Sequence, residues 1–167
     1  MVAITLPDGS IRNFVGPLSG AKLAVEIGPG LAKAALAIRI NGELADLSTV
    51  IEADSEVAII TDKDEHDALD LIRHDTAHVL AEAVQELYPG TQVTIGPNIE
   101  NGFYYDFARE EAFSNEDLRI IEKKMHEIIG RDDAFSKEIW DRNSAAEMFR
   151  NMGETYKAEI IDDLPEE

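Results

Sequence analysis

The 167-residue chain contains no cysteine. That excludes a disulfide framework, a cysteine-ligated metal and a thiol nucleophile. It also has no apolar run near the roughly 18 residues of a membrane span, so none is expected. Met1 to Leu6 carry no basic residue ahead of an apolar stretch, which argues against a secretory leader. Aromatic residues make up only 7%, but an apolar fraction of 44% suits a globular chain, and with these absences a cytoplasmic location is the default expectation. Basic charge is the scarcest commodity. Fifteen Lys and Arg face 34 Asp and Glu, for a net charge of −19. Residues 1–63 hold five basic and eight acidic residues, net −3, and residues 64–167 hold ten and twenty-six, net −16. Phosphate binding leaves a basic footprint. A self-sufficient nucleic-acid binder is therefore not expected, and any RNA contact must be local or rest on basic surface elsewhere in a larger protein.

The order of elements predicts an α+β chain in two parts. Val2 to Leu6 reads as a strand, Pro7-Asp8-Gly9 as a turn and Ile11 to Val15 as the returning strand. Ser19 is positioned to cap a helix through Ile27, and Gly28-Pro29-Gly30 breaks it. Leu31 to Ala35 reads as a further helical turn. Ala37 to Ile40 is a strand followed by Asn41-Gly42, the strongest hairpin signal present. Val57 to Thr61 is the last strand. That order suits a β-grasp, ubiquitin-like module over residues 1–62. The polar run Asp62 to Asp67 marks the boundary. The second part, 63–167, predicts a long helix packed on an antiparallel sheet. The helix runs from about Asp67 to Tyr88, with Leu69, Ile72, Leu80, Val84 and Leu87 as its apolar stripe. Thr91 to Ile95 and the aromatic Phe103 to Phe107 read as strands. Ser114 with Asp117 three residues later predicts a capped helix through about Ile129. Residues 134–140 read as a strand, Ser144 as the start of a helix ending near Gly153, and Thr155 to Ile161 as a strand.

Three places carry candidate chemistry. His74 and His78 lie four residues apart, which on a helix puts both imidazoles on one face. Such a pair can bind one substrate group, orient a water or take a proton near neutral pH. A zinc protease needs Glu beside the first His, and Asp75 stands there instead. His66 and His126 read as surface residues, so no metal site is expected. In the aromatic segment, Phe103, Tyr105 and Phe107 alternate toward the core, leaving Tyr104 as the candidate substrate contact. Lys157, in the pattern Tyr156, Ala158, Ile160, is the third candidate, able to hold an anion or a carbonyl oxygen.

Two sets of residues carry a family resemblance. Ile4-Thr5-Leu6-Pro7-Asp8-Gly9, Ile27-Gly28-Pro29-Gly30-Leu31-Ala32 and Arg39-Ile40-Asn41-Gly42-Glu43-Leu44 resemble a TGS domain. Ile72-Arg73-His74-Asp75-Thr76-Ala77-His78-Val79-Leu80, Ile95-Gly96-Pro97, Asn101-Gly102-Phe103-Tyr104-Tyr105-Asp106, Glu122-Lys123-Lys124-Met125 and Gly153-Glu154-Thr155-Tyr156-Lys157 resemble a tRNA-editing domain. Joined in this order, they resemble the N-terminal portion of bacterial-type threonyl-tRNA synthetases.

The resemblance implies an editing function with a physical motive. Threonine and serine share a hydroxyl and differ by one methyl, worth roughly 1–3 kcal/mol of discrimination. That is too little for translation, so the family hydrolyses mischarged seryl-tRNA at a second site. By resemblance, His74 and His78 line that site and position the terminal ribose and the attacking water. Lys157 matches a family lysine there and would hold the substrate or the oxyanion. In the family, the editing domain continues with a further Cys and His, whereas this chain has no Cys and ends at Pro165-Glu166-Glu167. The resemblance therefore implies an editing domain truncated at its C-terminal end and an incomplete pocket. ATP, magnesium and zinc are implied only for a ligase core that lies outside this chain. The implied partner is the tRNA for threonine, with a homodimer for the full-length enzyme and a monomer here. The competing readings are a stand-alone TGS-type module docking on RNA or protein without catalysis, and a small metal-dependent hydrolase built on the histidine pair.

Overall fold

The computed structural model describes residues 1–133 and 137–165. They form two compact units, Met1–Leu71 and Ile72–Glu167, each taken by itself below. Among the described residues, no helix is long and apolar enough to cross a membrane.

The first unit is built on a five-stranded sheet. Its strands are β1 (Val2–Thr5), β2 (Ile11–Phe14), β4 (Ala35–Ile40), β5 (Glu43–Ala45) and β7 (Ser55–Thr61), in the order β2-β1-β7-β4-β5. β1 pairs antiparallel with β2 and parallel with β7, so the first and last strands lie side by side at the centre. This is the β-grasp arrangement expected. A second, two-strand ladder joins β3 (Leu18–Ser19) to β6 (Val50–Ile51). Helix α1 (Gly20–Ile27) starts as the sequence predicts, with the Ser19 hydroxyl accepting from the Lys22 amide at 3.3 Å. α2 (Pro29–Ala34) opens on Pro29, whose missing N–H costs a first helical turn nothing. Asn41 and Gly42 both adopt positive φ, 50° and 92°, closing the β4–β5 hairpin as a type I′ turn requires. The core is Val2, Ile4, Leu18, Leu23, Ile38, Ile51 and Val57. Arg39 on β4 ties down the first turn of the next helix, donating to the Asp67 carboxylate and to the Gly42 carbonyl at 2.7 Å.

That helix, α3 (Glu65–Leu87), is the longest element, and the division between units falls inside it. In the second unit it packs against α4 (Asn115–Arg131) around Ala83, Val84, Ile121 and Ile128, with Phe107 and Phe113 against them. The expected stripe is only half right. Val84 is buried, but Leu69 and Ile72 are exposed, and alanines 68, 77, 81 and 83 line the buried side instead. The antiparallel sheet is present only as two short ladders. β8 (Gln92–Val93) pairs with β11 (Phe107–Ala108), and β9 (Asn98–Ile99) with β10 (Gly102–Phe103). The aromatic segment expected as one strand is thus split over two ladders.

Two further expectations are corrected. Thr155 to Ile161 is not a strand but lies in the helix α6 (Thr155–Asp162). Tyr156 and Ile160, which suggested alternation, are both 42% exposed, while Glu154 and Ala158, one turn apart, are buried. The helical period wins because it buries the residues that the period of two would expose. The preceding helix, α5 (Arg142–Asn151), is capped not by Ser144 but by Asp141, whose carboxylate accepts from the Ser144 amide at 3.0 Å. Of the strand expected over 134–140, residues 134–136 lie outside the described residues and 137–140 are irregular. Ser114 and Asp117 form the predicted capping box on α4.

Candidate functional site

α3 presents the two histidines. Ala77 between them is buried and seats the helix, while Arg73 reaches across to the Ile99 carbonyl at 3.4 Å and fastens α3 to β9. His74 and His78 lie on the edge of that seated face. Their Nε2 atoms are 3.0 Å apart and the rings meet edge to face, with centroids 4.7 Å apart at 77°. At this distance one Nε2 donates and the other accepts, so the contact survives only while at least one ring is neutral.

The surroundings of His78 favour its neutral form. Partial burial holds the His78 imidazole below the ordinary histidine value, and the neighbouring His74 pushes the same way; Asp75 pulls against them, and Lys157 adds the smallest push downward. Lys157 therefore shares the electrostatic field of the pair although it lies on a different element, α6. Its ammonium also sits over the Phe149 ring, 5.4 Å from the centroid. The structure brings His74 and His78 into contact, whereas Lys157 reaches His78 only through its charge. A neutral His78 imidazole in contact with His74 can accept a proton and orient a water, and a nearby cation can stabilise developing negative charge. Among the described residues, no group of three or more His, Cys, Asp or Glu converges to hold a metal ion.

Tyr104 lies 46% exposed at the end of β10. Its neighbour Tyr105 is the tyrosine packed into the unit. The Tyr105 ring stacks on Phe107, with centroids 4.9 Å apart at 22°, and lies flat against Gly96. A Cβ added at Gly96 would stand 2.2 Å from the Tyr105 ring, so only glycine admits it. Burial and the nearby Glu154 carboxyl raise the Tyr105 phenol above its usual range and keep it a hydroxyl donor.

Sequence reasoning passed over the polar residues beneath these. Glu154 is 8% exposed, takes a hydrogen bond from the Gln85 amide on α3, and leaves its Oε2 buried without a partner among the described residues. Gln92 donates from Nε2 to the Gly153 carbonyl at 2.7 Å and accepts the Thr155 amide on Oε1 at 3.0 Å. The one available signal was Gln85, seven residues beyond His78 and so on the same helical face. A separate cleft of about 690 Å³ lies near the far end of α3, lined by Tyr88, Gly90, Thr91 and Arg109 among others. There the Arg109 guanidinium is held between the Tyr88 and Phe113 rings, 4.4 and 4.6 Å from their centroids.

Comparison with known proteins covers both units. Residues 2–61 match the TGS domain. The chain is 61% identical over 166 residues to the threonine–tRNA ligase of Granulibacter bethesdensis, covering 99% of this chain and 26% of that protein. It is 61% identical over 165 residues to the threonine–tRNA ligase of Rhodospirillum rubrum, again 99% of this chain and 26% of the relative. It is 61% identical over 164 residues to that of Thiobacillus denitrificans, 98% and 26%. The chain thus spans about a quarter of the length of the curated relatives it matches. With a β-grasp unit matching the TGS domain and near-complete coverage at this identity, the chain is similar along its whole length to the N-terminal quarter of threonine–tRNA ligases.

Proposed function

We propose that this chain works as the N-terminal part of a threonine–tRNA ligase, which joins threonine to its tRNA using ATP in the cytoplasm. Residues 1–62 serve as its TGS domain and residues 63–167 as part of a domain that hydrolyses mischarged seryl-tRNA. The observation that carries the reading is the 3.0 Å contact between His74 and His78, with the charge of Lys157 in the same field. In this reading the histidines hold the terminal ribose and the attacking water, and the neutral His78 takes the proton that water releases. The water oxygen bonds to the ester carbonyl carbon, and Lys157 stabilises the oxyanion that forms. The ribose oxygen then leaves with a proton, giving serine and free tRNA. ATP, magnesium and zinc belong to the ligase core. The chemistry proposed for this chain uses its own side chains.

The strong acidity of residues 64–167 implies that the tRNA for threonine is held mainly by basic surface outside the chain. The chain alone is monomeric, and the full-length enzyme is a dimer.

The test is deacylation of seryl-tRNA for threonine by this chain, by its His74→Ala variant, and by a version extended through the next segment of its relatives. Hydrolysis by the extended version that disappears with His74→Ala is the expected result. An extended version without activity defeats the editing reading.

A further inference from the structure

The two histidines ride on α3 and Lys157 rides on α6, so the site exists only while those helices keep one register. Glu154 stands at the junction. It is the residue immediately before α6, yet its side chain does not cap that helix. Glutamate is not among the favoured capping residues, and Glu154 takes the Gln85 amide of α3. Burying a carboxyl with one oxygen unpartnered among the described residues costs stability. Distances along the helices point to a role. Gln85 lies two turns from His78 on α3, and Lys157 lies one turn from Glu154 on α6. The Gln85–Glu154 hydrogen bond is thus a strut between the helix of the histidines and the helix of the lysine. Gln92 fixes the same junction from the other side through the backbone of Gly153 and Thr155.

We propose that Glu154 is a positioning residue: through Gln85 it sets the register of α6 on α3 and so places Lys157 beside His78. The proposal rests on the reading of His74, His78 and Lys157 as one hydrolytic site.

Three charged or titrating groups act on His78, namely His74, Asp75 and Lys157. Gln85→Ala leaves all three in the chain, so any shift it causes reports movement rather than lost charge. The experiment is an NMR titration of the His78 imidazole in the 167-residue chain and in its Lys157→Ala, Gln85→Ala, Glu154→Ala and Glu154→Gln variants. Lys157→Ala is expected to raise the midpoint, because it removes a cation. Gln85→Ala and Glu154→Ala are expected to raise it in the same direction with helix content unchanged by circular dichroism. Glu154→Gln retains an acceptor oxygen for Gln85 and is expected to keep the original midpoint. The proposal is overturned if both alanine variants titrate like the parent while Lys157→Ala shifts, if Lys157→Ala itself shifts nothing, or if Glu154→Gln shifts as far as Glu154→Ala. Should an alanine variant lose helix content, Gln85→Asn decides. It keeps the amide but falls one methylene short, so an upward shift supports the strut and the parent midpoint refutes it. These titrations need no turnover. Shifts as expected in a chain whose extended form cleaves no seryl ester keep the positioning role and reject the hydrolytic reading.

Discussion

At His78 burial and three neighbouring groups meet, and their balance sets what the pair can do. Burial, His74 and Lys157 all disfavour the imidazolium, and Asp75 favours it. The folded value is depressed, so the associated stability is present above the ordinary histidine value. It is lost as pH falls through the lowered one. Hydrolysis that uses the neutral His78 keeps the same lower limit. His74→Ala removes one depressing group and is expected to raise the His78 midpoint, whereas Asp75→Asn is expected to lower it. Histidine-selective NMR of the chain reads both, and shifts reversed from these would show that His74 and Asp75 do not bear on His78 in this way. The pair itself was legible in the sequence because a spacing of four needs only a helix to become a contact. Tyr105 and Glu154 were not. Alternation assigns Tyr105 inward without saying that it lies against Gly96, and no local pattern marks one glutamate among so many as buried.

At the scale of elements, legibility followed the strength of local chemistry. Asn41-Gly42, Ser19 and the Ser114–Asp117 box act through backbone geometry and short-range hydrogen bonds, and each appears where the sequence places it. Elements decided by tertiary burial were misread. Tyr156, Ala158 and Ile160 imitate a strand until their neighbours bury Ala158 and leave the other two in water. The cap of α5 moved from Ser144 to Asp141 because Asp141 reaches the Ser144 amide from outside the first turn. A consequence for packing follows at Gly20, the first residue of α1. A Cβ there would lie 2.6 and 2.7 Å from the Ile38 side chain, which is fully buried, and 3.2 Å from the Leu47 carbonyl. Neither neighbour can withdraw. Gly20→Ala is expected to destabilise the first unit by about 1–3 kcal/mol through overpacking. Urea unfolding checks it, and an unchanged midpoint would mean that the β-grasp core is looser than its burial suggests.

Across the whole molecule, the net charge of −19 opposes compaction through self-repulsion. Local pairs soften it between α3 and α4, where Arg131 bridges Glu82 and Glu86, and Lys124 reaches Glu86 and Glu127. Surface pairs contribute little once screened, so global repulsion dominates the salt response. Tm at neutral pH is expected to rise as NaCl goes from about 0.02 to about 0.5 M, where the screening length shrinks well below 10 Å. A falling Tm would show instead that the ion pairs outweigh the repulsion. Acid acts through the same pairs. Arg131 holds Glu86 down to about 2, and Ser114 and Tyr88 hold Asp117 down to about 2. Their contribution is present above the ordinary carboxylate range and is lost as pH falls through the lowered values. The buried side of α3 sets how these polar contacts matter. Its alanines stand beside the fully buried Val84, so small side chains make much of the apolar contact there. Polar contacts add direction to that seat: Arg73 to Ile99, Gln85 to Glu154, and Tyr88 to Asp117 at 2.7 Å. A change at one of these contacts is expected to alter the alignment of the histidines more than the melting temperature, and a screen for thermal stability alone would pass over it.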